Sequence, residues 1–184
     1  MKKHVLCVAA VLAFAGAVQA ESVTNGGFET GDFTGWSQFG NTGFTGVGAG
    51  TQASGTYGAF FGPVGSTGGI TQTLALPANA NVTVSFWLHN DGGGFNSFDA
   101  SFDGSSLLSF TNAGGIGYNF YSYNVTTTAA NPALTFTFRQ DPAWWYLDDV
   151  SVTSTIVPLP TGASMGLLGL AGAGVLGRIA RRRK

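Results

Sequence analysis

NVTVSFWLHN (Asn81–Asn90) decides the fold. Val82, Val84, Phe86 and Leu88 fall on one side of an extended chain, and Thr83, Ser85, Trp87 and His89 on the other. Strict alternation of this kind marks a strand with one face in a core and one toward solvent. The pattern recurs along the chain. ALTFTFRQ (133–140) sets Leu134, Phe136 and Phe138 against Thr135, Thr137 and Arg139. FNSFDASFDG (95–104) sets Phe98, Ala100 and Phe102 against Asp99, Ser101 and Asp103. ITQTLAL (70–76), FYSYNVTTT (120–128) and WWYLDDVSVT (144–153) read the same way. Turn-forming clusters separate the strands: DGGG at 91–94, DGSS at 103–106 and NAGGIG at 112–117. Between residues 21 and 155 no segment has helical period. Many short strands with regular turn signals predict an all-β, two-sheet sandwich. The Gly-, Thr- and Ser-rich segment Gly40–Gly69 is expected to hold one or two strands and long loops, where binding sites often form.

Composition agrees with that reading. Glycine occurs 29 times in 184 residues and charged residues make up only 9 %, as in a turn-rich β protein. The charge is partitioned. Lys2, Lys3, Arg178, Arg181, Arg182, Arg183 and Lys184 sit at the two ends, whereas all nine acids lie between them, facing Arg139 alone. An acidic body repels phosphate backbones, which excludes nucleic acid as a partner. Cys7 is the only cysteine, so the body has neither a disulfide nor a thiolate site.

The ends read as targeting segments. MKKHVLCVAAVLAFAGAVQA (1–20) has a basic start, an apolar run and small residues at Val18 and Ala20, the build of a signal peptide cleaved after Ala20. At the other end, Thr161–Ala180 forms about 30 Å of helix, just enough to span a hydrocarbon core once. The basic stop Arg178, Arg181, Arg182, Arg183 and Lys184 stays on the cytoplasmic side. Val157, Pro158, Leu159 and Pro160 precede that helix. A Pro-x-Pro motif, a short apolar helix and a terminal Arg cluster, in this order, resemble the PEP-CTERM sorting signal of Gram-negative bacteria. Leu159 stands where that signal usually has Glu. The resemblance implies processing by an exosortase-type membrane protease near the Pro motif. The cargo would be anchored transiently in the inner membrane, then placed at the cell surface or in an extracellular, exopolysaccharide-rich matrix. The domain plan is therefore signal peptide 1–20, β-sandwich 21–155 and sorting signal 156–184.

The body opens on NGGFETGDFTGW (25–36) and closes on YLDDVSV (146–152). This pair of edges resembles the galactose-binding-like jelly rolls, which include several carbohydrate-binding modules. Strand alternation places Asp148 on the face of Val150 and Val152, and a buried unpaired carboxylate is expensive. Two solutions stand open. Asp148 accepts N–H bonds from a neighbouring loop, or it helps hold a cation, for which Ca2+ with its oxygen ligands is suited. The resemblance implies a structural Ca2+ joining the first turn to the last strand, with Glu29 and Asp148 or Asp149 as ligands and carbonyls from Asn25–Gly27.

Aromatic residues are plentiful, and sugars stack their C–H faces on flat rings while their hydroxyls seek polar partners. Trp87 and His89, together with Asp99 and Arg139, point away from the core faces of their strands and are the candidate glycan-binding residues. They would form one surface if their strands were neighbours. Catalysis has little support. His89 is the only histidine of the body, no nucleophile elbow surrounds a serine, and no pair of acids is singled out by position. The expectation is a non-enzymatic, exported envelope or matrix protein with a structural or adhesive role alongside polysaccharide. A carbohydrate-binding module with a defined glycan site is the alternative, and a glycoside hydrolase a remote third.

Overall fold

The computed structural model describes residues 18–156. They form eleven strands: β1 (Val18–Glu21), β2 (Ser37–Gly40), β3 (Thr45–Gly48), β4 (Gly58–Phe61), β5 (Gly68–Thr73), β6 (Asn81–Asn90), β7 (Phe95–Phe102), β8 (Ser105–Thr111), β9 (Ile116–Thr126), β10 (Ala133–Asp141) and β11 (Trp145–Ile156). Sheet 1 runs β3-β4-β11-β6-β9, with β1 also beside β11; sheet 2 runs β2-β5-β10-β7-β8. The resolved pairings are all antiparallel. The fold is the expected all-β jelly-roll sandwich. Gly40–Gly69 holds β3 and β4 and reaches β5. The proposed signal peptide and sorting signal lie outside the described residues, apart from Val18, Gln19 and Ala20 of the first and Ile156 of the second. Cleavage after Ala20 would leave Glu21 as the only residue of β1.

The alternation read from sequence closes the core. Val82, Val84, Phe86 and Leu88 of sheet 1 meet Phe98, Ala100, Leu134, Phe136 and Phe138 of sheet 2, all buried. Aromatic rings bridge the layers. Phe61 of β4 stacks on Phe138 of β10 at 3.8 Å between centroids and 6° between planes. Phe86 meets Phe136 edge-on at 5.2 Å. Trp145 lies 5.4 Å from Phe98. Such pairs add to what burial itself contributes.

Asp148 does not share the face of Val150 and Val152. Its partner is Trp87, whereas Ser151 pairs with Ser85, so β11 carries an extra residue between them. Asp149 sits at φ 48 in this bulge. A bulge reverses the side-chain parity of a strand. Leu147, Val150 and Val152 therefore face the core while Asp148 turns to the outer face of sheet 1. The Val150 amide bonds the Gly26 carbonyl at 2.9 Å, and a Cβ on Gly26 would stand 1.9 Å from the Val150 carbonyl oxygen. Only glycine allows that approach of the first turn to the last strand.

Phe138→Ala is expected to cost about 3–5 kcal/mol, since it deletes a fully buried ring and its inter-sheet stack. Phe120→Ala, at a ring 54 % exposed, is expected to stay within about 0.5 kcal/mol. Denaturant titration of both variants checks the contrast.

Candidate functional site

The outer face of sheet 1 carries a row of rings placed by register. Phe60 of β4 faces Tyr146 of β11, which faces His89 of β6. A Cβ on Gly46, opposite Phe60, would stand 2.6 Å from the Phe60 ring, so glycine in β3 leaves room for that ring to lie over the strand. His89 is held between Tyr146 at 4.9 Å and Tyr118 at 5.3 Å. One residue pair along, Trp87 of β6 lies 5.4 Å from Phe120 of β9. Asp91 caps the row. The Tyr146 hydroxyl donates to its Oδ2 at 3.1 Å, and His89 Nε2 lies 3.5 Å from its Oδ1. Burial, then the neighbouring Asp91 carboxylate, pushes the Tyr146 phenol above its usual range, so it stays a donor at neutral pH.

A loop between β3 and β4 folds onto this face. Asp148 is fully buried beneath it, with Oδ2 accepting the amides of Ala53 at 2.7 Å and Ser54 at 3.0 Å. Its Oδ1 accepts the Asp149 amide at 2.8 Å. Burial pushes the Asp148 carboxyl up, and the N–H bonds from Ser54, Asp149 and Ala53 pull against that. Glu29 Oε1 takes the Thr56 and Tyr57 amides at 2.9 and 3.1 Å, and Asp149 Oδ1 accepts the Ser54 hydroxyl at 3.0 Å. The Tyr118 hydroxyl donates to the Thr51 carbonyl. Burial, with the nearby Asp148 charge second, raises the Tyr118 phenol far above its ordinary value.

The three carboxylates assigned to Ca2+ thus converge on one loop, and hydrogen bonds already tie it to the first turn and the last strand. Both Asp148 oxygens face amide hydrogens, so Asp148 fits the loop-bonded solution. Among the described residues, Glu29 and Asp149 each keep one carboxylate oxygen without a hydrogen-bond partner. Both flank Gly27, where a Cβ would stand 3.5 Å from Asp149 Oδ1 and 3.7 Å from Glu29 Cγ. Among the described residues, no three His, Cys, Asp or Glu side chains group as a metal site. Of the three expected ligands, Asp148 is thus taken up by amides, and a Ca2+ would have to rest on Glu29 and Asp149 with backbone carbonyls and water.

Trp144 stands at the end of the aromatic row. It is 40 % exposed, while Trp145 beside it is core. Ala143 holds φ 151, a conformation that L-residues seldom adopt, and strain of this sort clusters at functional sites. A Cβ on Gly62 would stand 2.8 Å from Trp144 Nε1, so the indole lies against bare backbone. Trp144 forms the ridge between two hollows. One, of about 390 Å³, is lined by Phe44, Gly62, Val64, Pro142 and Ala143; the other, of about 240 Å³, by Thr51, Phe60 and Tyr146. Phe44 and Val64 are 68 % and 49 % exposed. Asp141 fixes the Val64 tip, since its Oδ1 accepts the Gly65 amide at 2.9 Å.

The four candidate glycan residues do not form one surface. Trp87 and His89 lie on the outer face of sheet 1, whereas Asp99 and Arg139 lie on the opposite outer face, because β7 and β10 belong to sheet 2. Arg139 is engaged there, 2.6 Å from Asp141 and over the Phe95 ring at 4.4 Å. Asp99 accepts the Ser106 hydroxyl at 2.7 Å. Val157, Pro158, Leu159 and Pro160, and the basic stop, lie outside the described residues. The residues added by the structure are Trp144, Tyr146, Phe60 and Phe44. For Trp144 and Tyr146 the signal was the WWY triplet at a strand start, where alternation buries the middle residue and exposes its neighbours; Phe44 and Phe60 had none.

This is the geometry of a two-sheet jelly roll of the kind found in carbohydrate-binding modules, and solved structures of such modules are its neighbours in fold. TmCBM61, solved with β-1,4-galactotriose, matches with a TM-score of 0.59 at 20 % identity, over 72 % of this chain and 97 % of its own. The CBM22-1 xylan-binding domain of Paenibacillus barcinonensis Xyn10C matches at 0.52 and 15 %, over 78 % and 98 %. The Clostridium thermocellum Xyn10B CBM22-1–GH10 structure with xylohexaose matches at 0.56 and 18 %, over 77 % of this chain but 30 % of that longer one. A match to the enzymatically active domain of bacteriophage CBA120 tailspike protein 4 spans only 21 % of that chain. No family model and no curated protein matches the sequence.

The Arg139 bond, then the Gly65 amide, hold the Asp141 carboxyl below its ordinary value of 3.8. A depressed carboxylate contributes stability that is full above the unfolded value and fades as pH falls through the folded one. The Gly65 amide is therefore expected to keep its hydrogen-bonded chemical shift down to pH 3.8 and to move only below it, and in Asp141→Ala, which removes the acceptor, to have lost it at all pH values. An NMR titration reads both.

Proposed function

We propose that this protein is a non-catalytic carbohydrate-binding module whose glycan site is the strip from Trp144 through Phe60 and Tyr146 to His89. The observation that carries the reading is the exposed Trp144 ridge between two hollows, adjoining a hydroxyl, an imidazole and the Asp91 carboxylate. Sugar sites need this combination of flat apolar surface and a few convergent polar groups. The glycan-binding reading is favoured over a purely structural or adhesive role, because its fold neighbours include modules solved with oligosaccharides. The acidic body, with Arg139 already paired, favours neutral over anionic chains.

Affinity electrophoresis against neutral polysaccharides, galactans and xylans included, tests this. Trp144→Ala is expected to weaken binding about tenfold, the worth of one stacked ring at ~1.4 kcal/mol, without moving the melting midpoint. Retardation by no polysaccharide, or binding indifferent to Trp144→Ala, would sink the assignment.

The export reading is part of the same proposal. Its supports are the basic-apolar-small start ending at Ala20, and the VPLP motif with helix and Arg cluster. The body would be carried to the cell surface or matrix by exosortase-type processing. Mass spectrometry of the mature C-terminus from the native host decides it, since an intact Lys184 contradicts processing. A structural Ca2+ held by Glu29 and Asp149 is the third element. Chelator is expected to lower the melting midpoint of the native protein and leave Asp149→Asn unmoved; equal melts with and without chelator remove the ion.

A further inference from the structure

No charged residue stands between Asp103 and Arg139. This neutral stretch, in a body that otherwise carries acids at intervals, builds β8 and β9 whole. Those two strands end sheets 2 and 1 on one side of the sandwich, while β2 and β3 end them on the other. Natural sheets protect such edges by shortness, charge, proline or bulges, because an unpaired edge is a template for another strand. The β2 and β3 edges are four residues each. By contrast, β9 is eleven residues long, IGYNFYSYNVT, with neither charge nor proline. Its one irregularity falls at the Ile116 end, leaving Asn119–Thr126 in unbroken register with Leu88–Asn81. Among the described residues β9 pairs with β6 alone, so the other side of its backbone has no strand beside it. Tyr121, Tyr123 and Val125 are only partly covered by the core, and Phe120 is largely exposed.

We propose that β9 is a homotypic interface, on which the β9 of a second copy pairs antiparallel about a two-fold axis at Ser122, so that Ser122 lies opposite its own counterpart. An antiparallel edge is complementary to itself under such an axis, since each strand offers the amides and carbonyls the other lacks. Charge selects the same partner. Two acidic bodies repel, and the neutral β8/β9 side is where they can approach; a strongly charged partner finds no counter-charge there. The paired segment would run roughly 27 Å, at about 3.4 Å per residue. Sheet 1 then continues from copy to copy, and the two-fold axis keeps both outer faces on one side. The Trp87–Phe120 pairs would flank the seam and join two ring rows into one platform. That last consequence rests on the glycan reading and would raise avidity for a long chain; the interface itself does not.

Sedimentation equilibrium of the purified protein, without glycan, tests the interface. Concentration-dependent dimerisation is expected, with amide-exchange protection at alternate β9 residues in the dimer. Ser122 is exposed on the outer face, so Ser122→Lys and Ser122→Asp should each weaken the dimer at least tenfold through like-charge contact across the axis. Mixing the two variants should restore a heterodimer, which misfolded variants would not do. A monomer at every concentration up to the solubility limit overturns the proposal. So does a dimer indifferent to both substitutions, or β9 protection that arises only when host extract is added.

Discussion

The carboxylate of Asp148 holds the ring-bearing outer face of sheet 1 together. It is buried, and a buried carboxylate left without donors would cost several kcal/mol. Three amides supply them, two from the loop at Ala53 and Ser54 and one from Asp149. The loop then lies on sheet 1, so close that a Cβ on Gly58 would stand 2.3 Å from the Thr51 carbonyl oxygen. That places Thr51 to receive the Tyr118 hydroxyl and to line one of the Trp144 hollows. Tyr118 in turn braces His89 from one side as Tyr146 does from the other. Removing the acceptor would therefore loosen the wall of the site as well as the loop.

The sequence carried the layered fold because alternation is a local signal. Each of β6, β7 and β10 declares its inner face within eight or ten residues, and the faces they declared are the ones buried. What alternation does not carry is which strand lies beside which. Trp87 and Asp99 both point outward, and only the assignment of β6 and β7 to different sheets separates them. Nor does it survive a bulge. Reading YLDDVSV as a uniform strand puts Asp148 in the core; the extra residue at Asp149, held at φ 48, sends it to the other face. The double Asp was a signal of that irregularity, since Asp tolerates left-handed backbone better than most residues. The convergence of Glu29 and Asp149 near Gly27 was reachable only through the family resemblance, because their separation along the chain says nothing of their meeting.

The distribution of charge and edge length divides the surface into regions with different physical character. Sheet 2 shows an outer face of small hydroxyls, such as the Thr71–Thr135 pair at 2.9 Å, with Arg139 and Asp141 satisfying each other. Sheet 1 shows rings, with the Asp91 carboxylate bonded to the Tyr146 hydroxyl and close to His89. The β8/β9 side is neutral and long-edged. Each region follows from the residues allowed at outward positions of its strands, and the inward positions are nearly all aliphatic or aromatic in both sheets.

The placement of Trp144 follows from the same constraint at the end of a strand. Trp145 must fill the core against Phe98 and Phe110, with its indole N–H bonded to the Arg139 carbonyl at 3.2 Å. Alternation then forces Trp144 and Tyr146 outward together. Tyr146 still has neighbours on both sides within the sheet, but Trp144 lies beyond the last pair of β11, against the Gly62 backbone and the Pro142–Ala143 turn. Its exposed neighbours Phe44 and Val64 extend it into an apolar patch, which leaves more apolar surface in water than a ring standing alone. The strain at Ala143 is a second local cost at the same point. These two features and the hollow on either side of the indole are what the proposed glycan site is built on, and the packing of the core requires none of them.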